Sequence, residues 1–264
     1  MTTMSDVGWV WEGQPAYRDF PPSIYGLGEG CEYFGLSQAY YLYHGNNETA
    51  LTKLAGVRQV LCDISFWRPR KLQTAEGEIG WGVGHDKSLA TVLEQAGAVS
   101  RLSRQFPNVA GALFDDFIGA VDGGGYSFAD CASIRDTLKA DNPDLKLYTT
   151  TYTHEVSAGR WEPYVSLVDG VFLWVWESAD LCQLDEYVRQ CRDLVGDKPL
   201  ILGCYLRDYP AEMPVPMDRL QYQWERIPGY LEQGLVDGYC ILGAYLIDHQ
   251  PEQAEWVRDF IAAN

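Results

Sequence analysis

Gly170–Trp176 reads Gly-Val-Phe-Leu-Trp-Val-Trp, and Glu177 follows it. The run is continuous in β-branched, aromatic and leucine side chains, which suits extended backbone and leaves no polar face for water. A strand of this kind is buried on both faces, as in a parallel sheet covered by helices. The period then changes. Leu181, Leu184, Val188, Cys191 and Val195 recur at three- and four-residue steps, the spacing of a helix with one buried stripe. Pro199–Tyr205 (PLILGCY) is apolar and continuous again. Strand, helix and strand in succession make a βαβ unit.

The same alternation extends outward. Val7–Trp11, Gln38–Tyr43, Val57–Phe66, Val109–Phe114, Leu145–Thr151 and Gly238–Ile247 are further strand-like runs. Helical stripes lie between them: Leu89, Val92, Leu93, Ala96, Val99 and Leu102, and later Leu220, Trp224, Ile227 and Leu231. Ser127 is placed to cap a helix that closes at Leu138 before Asn142-Pro143, and Pro228-Gly229 should kink or split another. Val257, Phe260 and Ile261 close the chain on a last helix. Eight strand–helix units within 264 residues predict an α/β fold, a (β/α)8 TIM barrel. No linker or composition shift marks a boundary, so residues 1–264 are expected to form a single domain. An open doubly wound sheet is the rival. It would bind a nucleotide through a glycine fingerprint, whereas Gly80–His85 reads G-W-G-V-G-H and falls in the long connection Arg68–Asp86, which is expected to be a flexible loop.

Composition narrows the chemistry. Acidic residues outnumber basic ones 37 to 20, a formal charge of −17. A nucleic-acid partner would need a basic face, and docking on an anionic membrane would need basic clusters, so neither is expected. No apolar run reaches the ~18 residues of a membrane span, and Met1–Asp6 carries no basic start or apolar core of a signal peptide. The expected location is cytoplasmic. The seven cysteines form no Cys-x-x-Cys pair, and Cys62, Cys204 and Cys240 fall within apolar runs, so they are expected as small core residues. No cofactor motif and no paired-histidine metal spacing is present, so neither a cofactor nor a metal is expected. Nine Trp and seventeen Tyr serve either the core or a ligand's flat apolar face.

In a barrel of this type chemistry lies at the carboxyl ends of the strands. Those ends carry Glu12, His44, Asp63 with Trp67, Asp115 with Asp116, Tyr152, Trp176 with Glu177, Tyr205 with Arg207 and Asp208, and Tyr245 with Asp248. Carboxylates, aromatic rings and one arginine on one face suit a sugar pocket, where hydroxyls need acceptors and donors and a pyranose needs rings to lie on. Cleaving a glycosidic bond needs two carboxyl groups in different environments. Asp116, with Asp115 beside it, is the candidate nucleophile or base. Glu177, next to two Trp rings, is expected to be partly desolvated and so suited to act as the acid. Its competing role is to start the next helix, and one of the two Asp residues is expected to be structural. His44, Asp63, Trp67, Tyr152, Trp176, Tyr205, Arg207, Asp208, Tyr245 and Asp248 are the candidate substrate-binding residues; Arg207 could equally hold an Asp in a salt bridge. Trp81 is a further candidate platform on a connection that could cover the mouth.

The run Ala112-Leu113-Phe114-Asp115-Asp116-Phe117 resembles the fourth-strand segment of the α-galactosidase and α-glucosidase group of glycoside hydrolases. The resemblance implies an Asp nucleophile at this strand end, matched by Asp115 or Asp116, and an acid/base at the end of strand six, matched by Glu177. That group has Asp on strand six, and its longer motifs are missing here. The Asn-Glu pair of the large β-glycosidase clan and the chitinase run D-x-x-D-x-D-x-E are also absent. The reading is a glycoside hydrolase acting on a small or oligomeric sugar. Its rivals are a metal-dependent sugar isomerase, epimerase or lyase, with Asp63, Asp116, Glu177 and a His around one ion, and a carbohydrate-binding barrel without turnover.

Overall fold

The computed structural model describes residues 3–13, 21–65, 67–73, 79–86 and 88–264; for 68–73, 79–83 and 85 the description is of the backbone. Eight strands close into a barrel: β1 (Gly8–Trp11), β2 (Gln38–Tyr41), β3 (Gln59–Asp63), β4 (Val109–Phe114), β5 (Lys146–Tyr152), β6 (Gly170–Trp174), β7 (Leu200–Tyr205) and β8 (Gly238–Leu242). Every barrel pairing is parallel, and β8 returns to β1 in the register Gly8↔Tyr239 to Trp11↔Leu242. All eight apolar runs are therefore strands, in a closed (β/α)8 barrel rather than an open sheet.

Burial on both faces has two sources. The barrel interior is filled by large rings: Trp11 packs edge-on against Tyr40, Phe172 and Trp174, and Tyr148 edge-on against Phe172, while Trp174 is tilted against Tyr205. Each fully buried ring contributes on the order of 2–3 kcal/mol, and edge-to-face contact adds about 0.5–1.5 kcal/mol. Such rings need space on neighbouring strands. A Cβ on Gly203 would lie 2.1 Å from the Trp174 ring, so β7 carries glycine where β6 carries tryptophan. The outer faces meet helices. Helix Leu184–Val195 buries Leu184, Val188, Cys191 and Val195, and helix Leu89–Leu102 buries Val92, Ala96 and Val99, the stripes expected from their spacing. Ser127 caps helix Phe128–Leu138, accepting from Asp130 N while Asp130 reaches back to Ser127 N. The stripe from Leu220 to Leu231 is split at Glu225-Arg226 into helices Met217–Trp224 and Ile227–Glu232, with Pro228 in the first turn of the second. The described cysteines are free thiols, all buried except Cys182.

Three of the differences from the sequence reading bear on the mouth. β6 stops at Trp174, before Val175 and Trp176. β8 stops at Leu242, because Gly243 takes a φ of +93° that turns the chain into the short helix Leu246–His249. The third concerns Arg68–Asp86, expected as a flexible loop: its described residues form a strand pair, Trp67–Gln73 running antiparallel to Ile79–His85. Its register sets Gly80, Gly82 and Gly84 opposite Leu72, Arg70 and Arg68. G-W-G-V-G-H is thus a two-residue period written in glycine, which an apolar/polar reading passes over. No described helix is long and apolar enough to cross a membrane.

Candidate functional site

Three aspartates form the floor of the mouth, and two hydroxyls join them. Asp63 ends β3 and is buried; its carboxylate accepts from Ser65 N at 2.8 Å, Trp67 N at 3.3 Å, the Ser65 hydroxyl and Tyr40 OH. Ser65 Oγ in turn accepts from Asp115 N at 3.1 Å. Asp115 Oδ1 accepts from Thr150 Oγ1 at 3.0 Å and from Asp116 N at 3.0 Å. Thr150 Oγ1 accepts from Asp116 N at 2.7 Å. Asp116 Oδ1 then accepts from Tyr152 OH at 2.9 Å. Strand alternation would send Asp115 and Asp116 to opposite faces. The backbone avoids this by leaving the strand: Asp116 takes φ 49°, ψ 43°, the left-handed region. Both carboxyls therefore join one hydrogen-bonded set spanning β3, β4 and β5.

The electrostatics separate the two neighbours. Asp115 is buried, and burial, followed by the charges of Asp116 and Asp63, raises its carboxyl well above the usual range. Two like charges this close cannot both ionise cheaply, so the surroundings of Asp115 favour its neutral form. Asp116 is half-buried and meets the mouth. Strained backbone collects where function fixes geometry. The non-glycine residues in the left-handed region are Tyr43 (φ 67°), Asp116 and Glu212 (φ 53°) among the described residues. Tyr43 and Asp116 both belong to this mouth, since the charges of Asp115 and Asp63 act on the Tyr43 hydroxyl.

Aromatic rings line one side. Tyr152 meets Trp176 edge-on at 5.9 Å, Trp176 lies parallel to Tyr209 at 6.0 Å, and Tyr205 contacts both Trp176 and Tyr209. Tyr209 and Tyr245 share a hydroxyl hydrogen bond of 2.9 Å. Tyr245 lies over Gly13, where a Cβ would come within 1.8 Å of its ring. Trp176 keeps 39 % of its surface exposed, which is unusual for a tryptophan beside so many rings.

The remaining candidates sit apart from this set. Glu177 is exposed, so the desolvation expected from its Trp neighbours is not realised. It stands at the N-cap of the 3-10 helix Ser178–Gln183, with no side-chain hydrogen bond to that helix. Asp208 is buried, with Oδ1 accepting from Ala211 N at 3.1 Å and Oδ2 from Ser178 N at 3.1 Å and the Ser178 hydroxyl. It ties the exit of β7 to the exit of β6. Asp248 accepts from Ser23 Oγ at 2.6 Å and Ile24 N at 3.1 Å, so it holds the segment after β1. Arg207 is buried and pairs in backbone register with Pro214. His44 is exposed, stacks on Tyr41 and lies 3.8 Å from Glu12. Trp67 opens the strand pair, and the Trp81 side chain lies outside the described residues. Glu12 was not singled out from the sequence, yet burial pushes its carboxyl up to about 8 despite Leu42 N donating to it at 2.8 Å. Thr150 and Ser65 were missed as well. Among the described residues no three His, Cys, Asp or Glu side chains are grouped so that they could hold one metal ion.

No family model matches the chain, and no curated protein does. Solved structures do. The glycoside hydrolase domain of PgaB (BpsB) from Bordetella bronchiseptica superposes with a TM-score of 0.53 at 13 % identity, over 88 % of this chain and 91 % of that one. A chitinase from Chromobacterium violaceum superposes with a TM-score of 0.56 at 8 % identity, over 98 % of this chain and 99 % of that one. A putative β-galactosidase from Bacteroides fragilis gives 0.54 at 11 % identity over 90 % of this chain, which spans 36 % of that longer one. At these identities the likeness is one of fold: the chain is built as these barrels are built.

Proposed function

We propose that the protein is a carbohydrate-active hydrolase, a glycoside hydrolase whose reacting carboxylate is Asp116. The observation that carries this reading is the Asp115–Asp116 pair: one carboxyl buried and its proton affinity raised by that burial, the next turned into an aromatic-walled mouth by left-handed backbone. Cleaving a glycosidic bond uses two carboxyls of different proton affinity that flank it, and Asp116 would supply one of them. Asp115 acts through Asp116 as a positioning residue, its proton lowering the repulsion that Asp116 would otherwise feel. Asp115 and Asp116 approach a sugar from one side, so the group that protonates the leaving oxygen comes from another strand. Glu177, beside exposed Trp176 at the exit of β6, is the candidate for that role. The barrels it resembles include proteins described as a glycoside hydrolase domain and a chitinase, which supports the same class of reaction. Trp176, Tyr209, Tyr205 and Tyr152 would be the platform for the sugar, with an oligosaccharide as the substrate class.

The test is turnover of a panel of aryl glycosides and N-acetylglycosides by the wild type, Asp116→Asn and Glu177→Gln. The reading holds if the wild type turns over a member of the panel and Asp116→Asn removes that activity with the fold intact. Equal activity in wild type and Glu177→Gln would remove Glu177 from the mechanism and leave Asp116 in place. Equal activity in Asp116→Asn would overturn the assignment. Sugar binding without turnover across the panel would point instead to a binding barrel.

A further inference from the structure

Tyr43 stands two residues past β2, with its backbone in the left-handed region at φ 67°. For a bulky side chain this conformation is an outlier, one that glycine holds at lower cost. The mouth uses the same device at the exit of β4, where left-handed Asp116 leaves the strand. At the exit of β2 it brings a phenol among groups from other strands: Asp63 of β3, Asp115 after β4, Glu12 after β1 and Tyr245 after β8 all act electrostatically on the Tyr43 hydroxyl. Neighbouring hydroxyls are committed to the carboxyls of the mouth, that of Tyr40 to Asp63, of Thr150 to Asp115 and of Tyr152 to Asp116. Tyr43 differs from them, because no hydrogen bond joins its hydroxyl to another described residue. The side chain is half-buried and packs against the core, so the hydroxyl is held in position without taking part in the hydrogen bonding of the fold.

We propose that Tyr43 is a specificity-determining residue, whose hydroxyl forms a hydrogen bond with one hydroxyl of the bound sugar. This role rests on the carbohydrate reading of the mouth and adds to it a group outside the carboxyl set. Burial, followed by the charges around it, raises the Tyr43 phenol well above its usual range, so at neutral pH it keeps its proton and can donate. A sugar hydroxyl accepts and donates at once. It can accept from Tyr43 while donating to a carboxylate of the mouth. A sugar without that hydroxyl leaves both partners unpaired, and a site that leaves its polar groups unpaired rejects the analogue. Left-handed backbone at a tyrosine persists only where its surroundings fix it, and here it fixes where the sugar hydroxyl must lie.

Binding and stability, both measured on the full chain, test this. Ligand-observed NMR titration compares Asp116→Asn with the double variant Tyr43→Phe/Asp116→Asn, so that turnover does not consume the probe. The probes are cellotriose, maltotriose and triacetylchitotriose, followed by the monodeoxy analogues of whichever binds. A urea titration compares the wild type with Tyr43→Phe. The expected result is that the double variant binds the probe about tenfold more weakly. Asp116→Asn prefers the probe over one monodeoxy analogue by about the same factor, and the double variant binds the two alike. The urea midpoint of Tyr43→Phe equals that of the wild type, because the hydroxyl has no partner in the fold to lose. Equal affinity of the two variants overturns the role of Tyr43 and leaves the carbohydrate reading standing. So does a preference among the analogues that the double variant keeps, or a lower urea midpoint in Tyr43→Phe, which would make the hydroxyl structural. Binding of none of the three probes by either variant overturns the carbohydrate reading and the role of Tyr43 together.

Discussion

At the scale of single residues, the proton positions in the mouth set what each variant should do. Asp116→Asn keeps the shape of the side chain and its contact with Tyr152 OH but removes the negative charge. For a carboxylate that reacts, the expected outcome is a loss of kcat of about 100-fold or more with KM changed only a few-fold, read by steady-state kinetics on whichever glycoside the wild type cleaves. Tyr152→Phe removes one hydrogen bond to that carboxylate. A bond to a charged group is worth about 1.5–3 kcal/mol, so the expected loss is about tenfold to a hundredfold, with a shift in the pH–rate profile that a purely structural ring would not cause. The Asp115-Asp116 pair was legible in the sequence, because two carboxylates directly after an apolar strand stand out. Ser65 and Thr150 were not, because a hydroxyl in a strand-end run carries no signal until β3, β4 and β5 are laid side by side. Glu12 was legible only as a polar residue at a strand end: the sequence does not show that the backbone amide of Leu42 meets its carboxyl.

At the scale of elements, the eight runs were legible because a barrel strand is apolar on both faces, and their ends were less so because apolar sequence continues past the last paired residue. Val175 and Trp176 are as apolar as β6, yet they lie beyond the ring. The strand pair after β3 was hidden for the opposite reason, since alternating glycine removes the side chains by which a strand is recognised. Element ends also sort the polar candidates by task. Asp208 is buried and bound to the first residue of the 3-10 helix after β6, so Asp208→Ala leaves three donors seeking an acceptor. Its expected cost is on the order of 2–3 kcal/mol in a denaturant titration. Asp248 is partly exposed and water can replace its bonds to Ser23 and Ile24, so Asp248→Ala should cost about 1 kcal/mol or less. Equal losses for the two would mean that burial is not what separates them.

At the scale of the whole molecule, charge and burial push stability the same way as pH rises, and they can be told apart. The chain carries a formal charge of −17, and ionising its carboxylates adds self-repulsion across the surface. Glu12 adds a term of different origin. Its carboxyl titrates at about 8 in the folded state against an ordinary 4.5, so between these values the folded chain holds a proton that the unfolded chain has released. Stability therefore falls as pH rises through this window: the contribution is fully present below about 4.5 and is lost as pH passes about 8. Asp115, raised by burial, acts with the same sign. Asp6 and Asp130, lowered by hydrogen bonds to Thr3 and Ser127, act oppositely, but only at pH below the ordinary carboxylate range. Glu12→Gln keeps the hydrogen bond from Leu42 N and removes the titration. Its stability should fall less steeply than that of the wild type between pH 5 and pH 8, measured as unfolding free energy at a series of pH values. Salt distinguishes the two origins. Added salt screens the surface repulsion of both proteins and raises both curves at high pH. It leaves the difference between wild type and Glu12→Gln nearly unchanged, because that difference comes from taking one carboxylate out of water and not from its distant neighbours. A difference that collapses in high salt would place Glu12 among the surface charges.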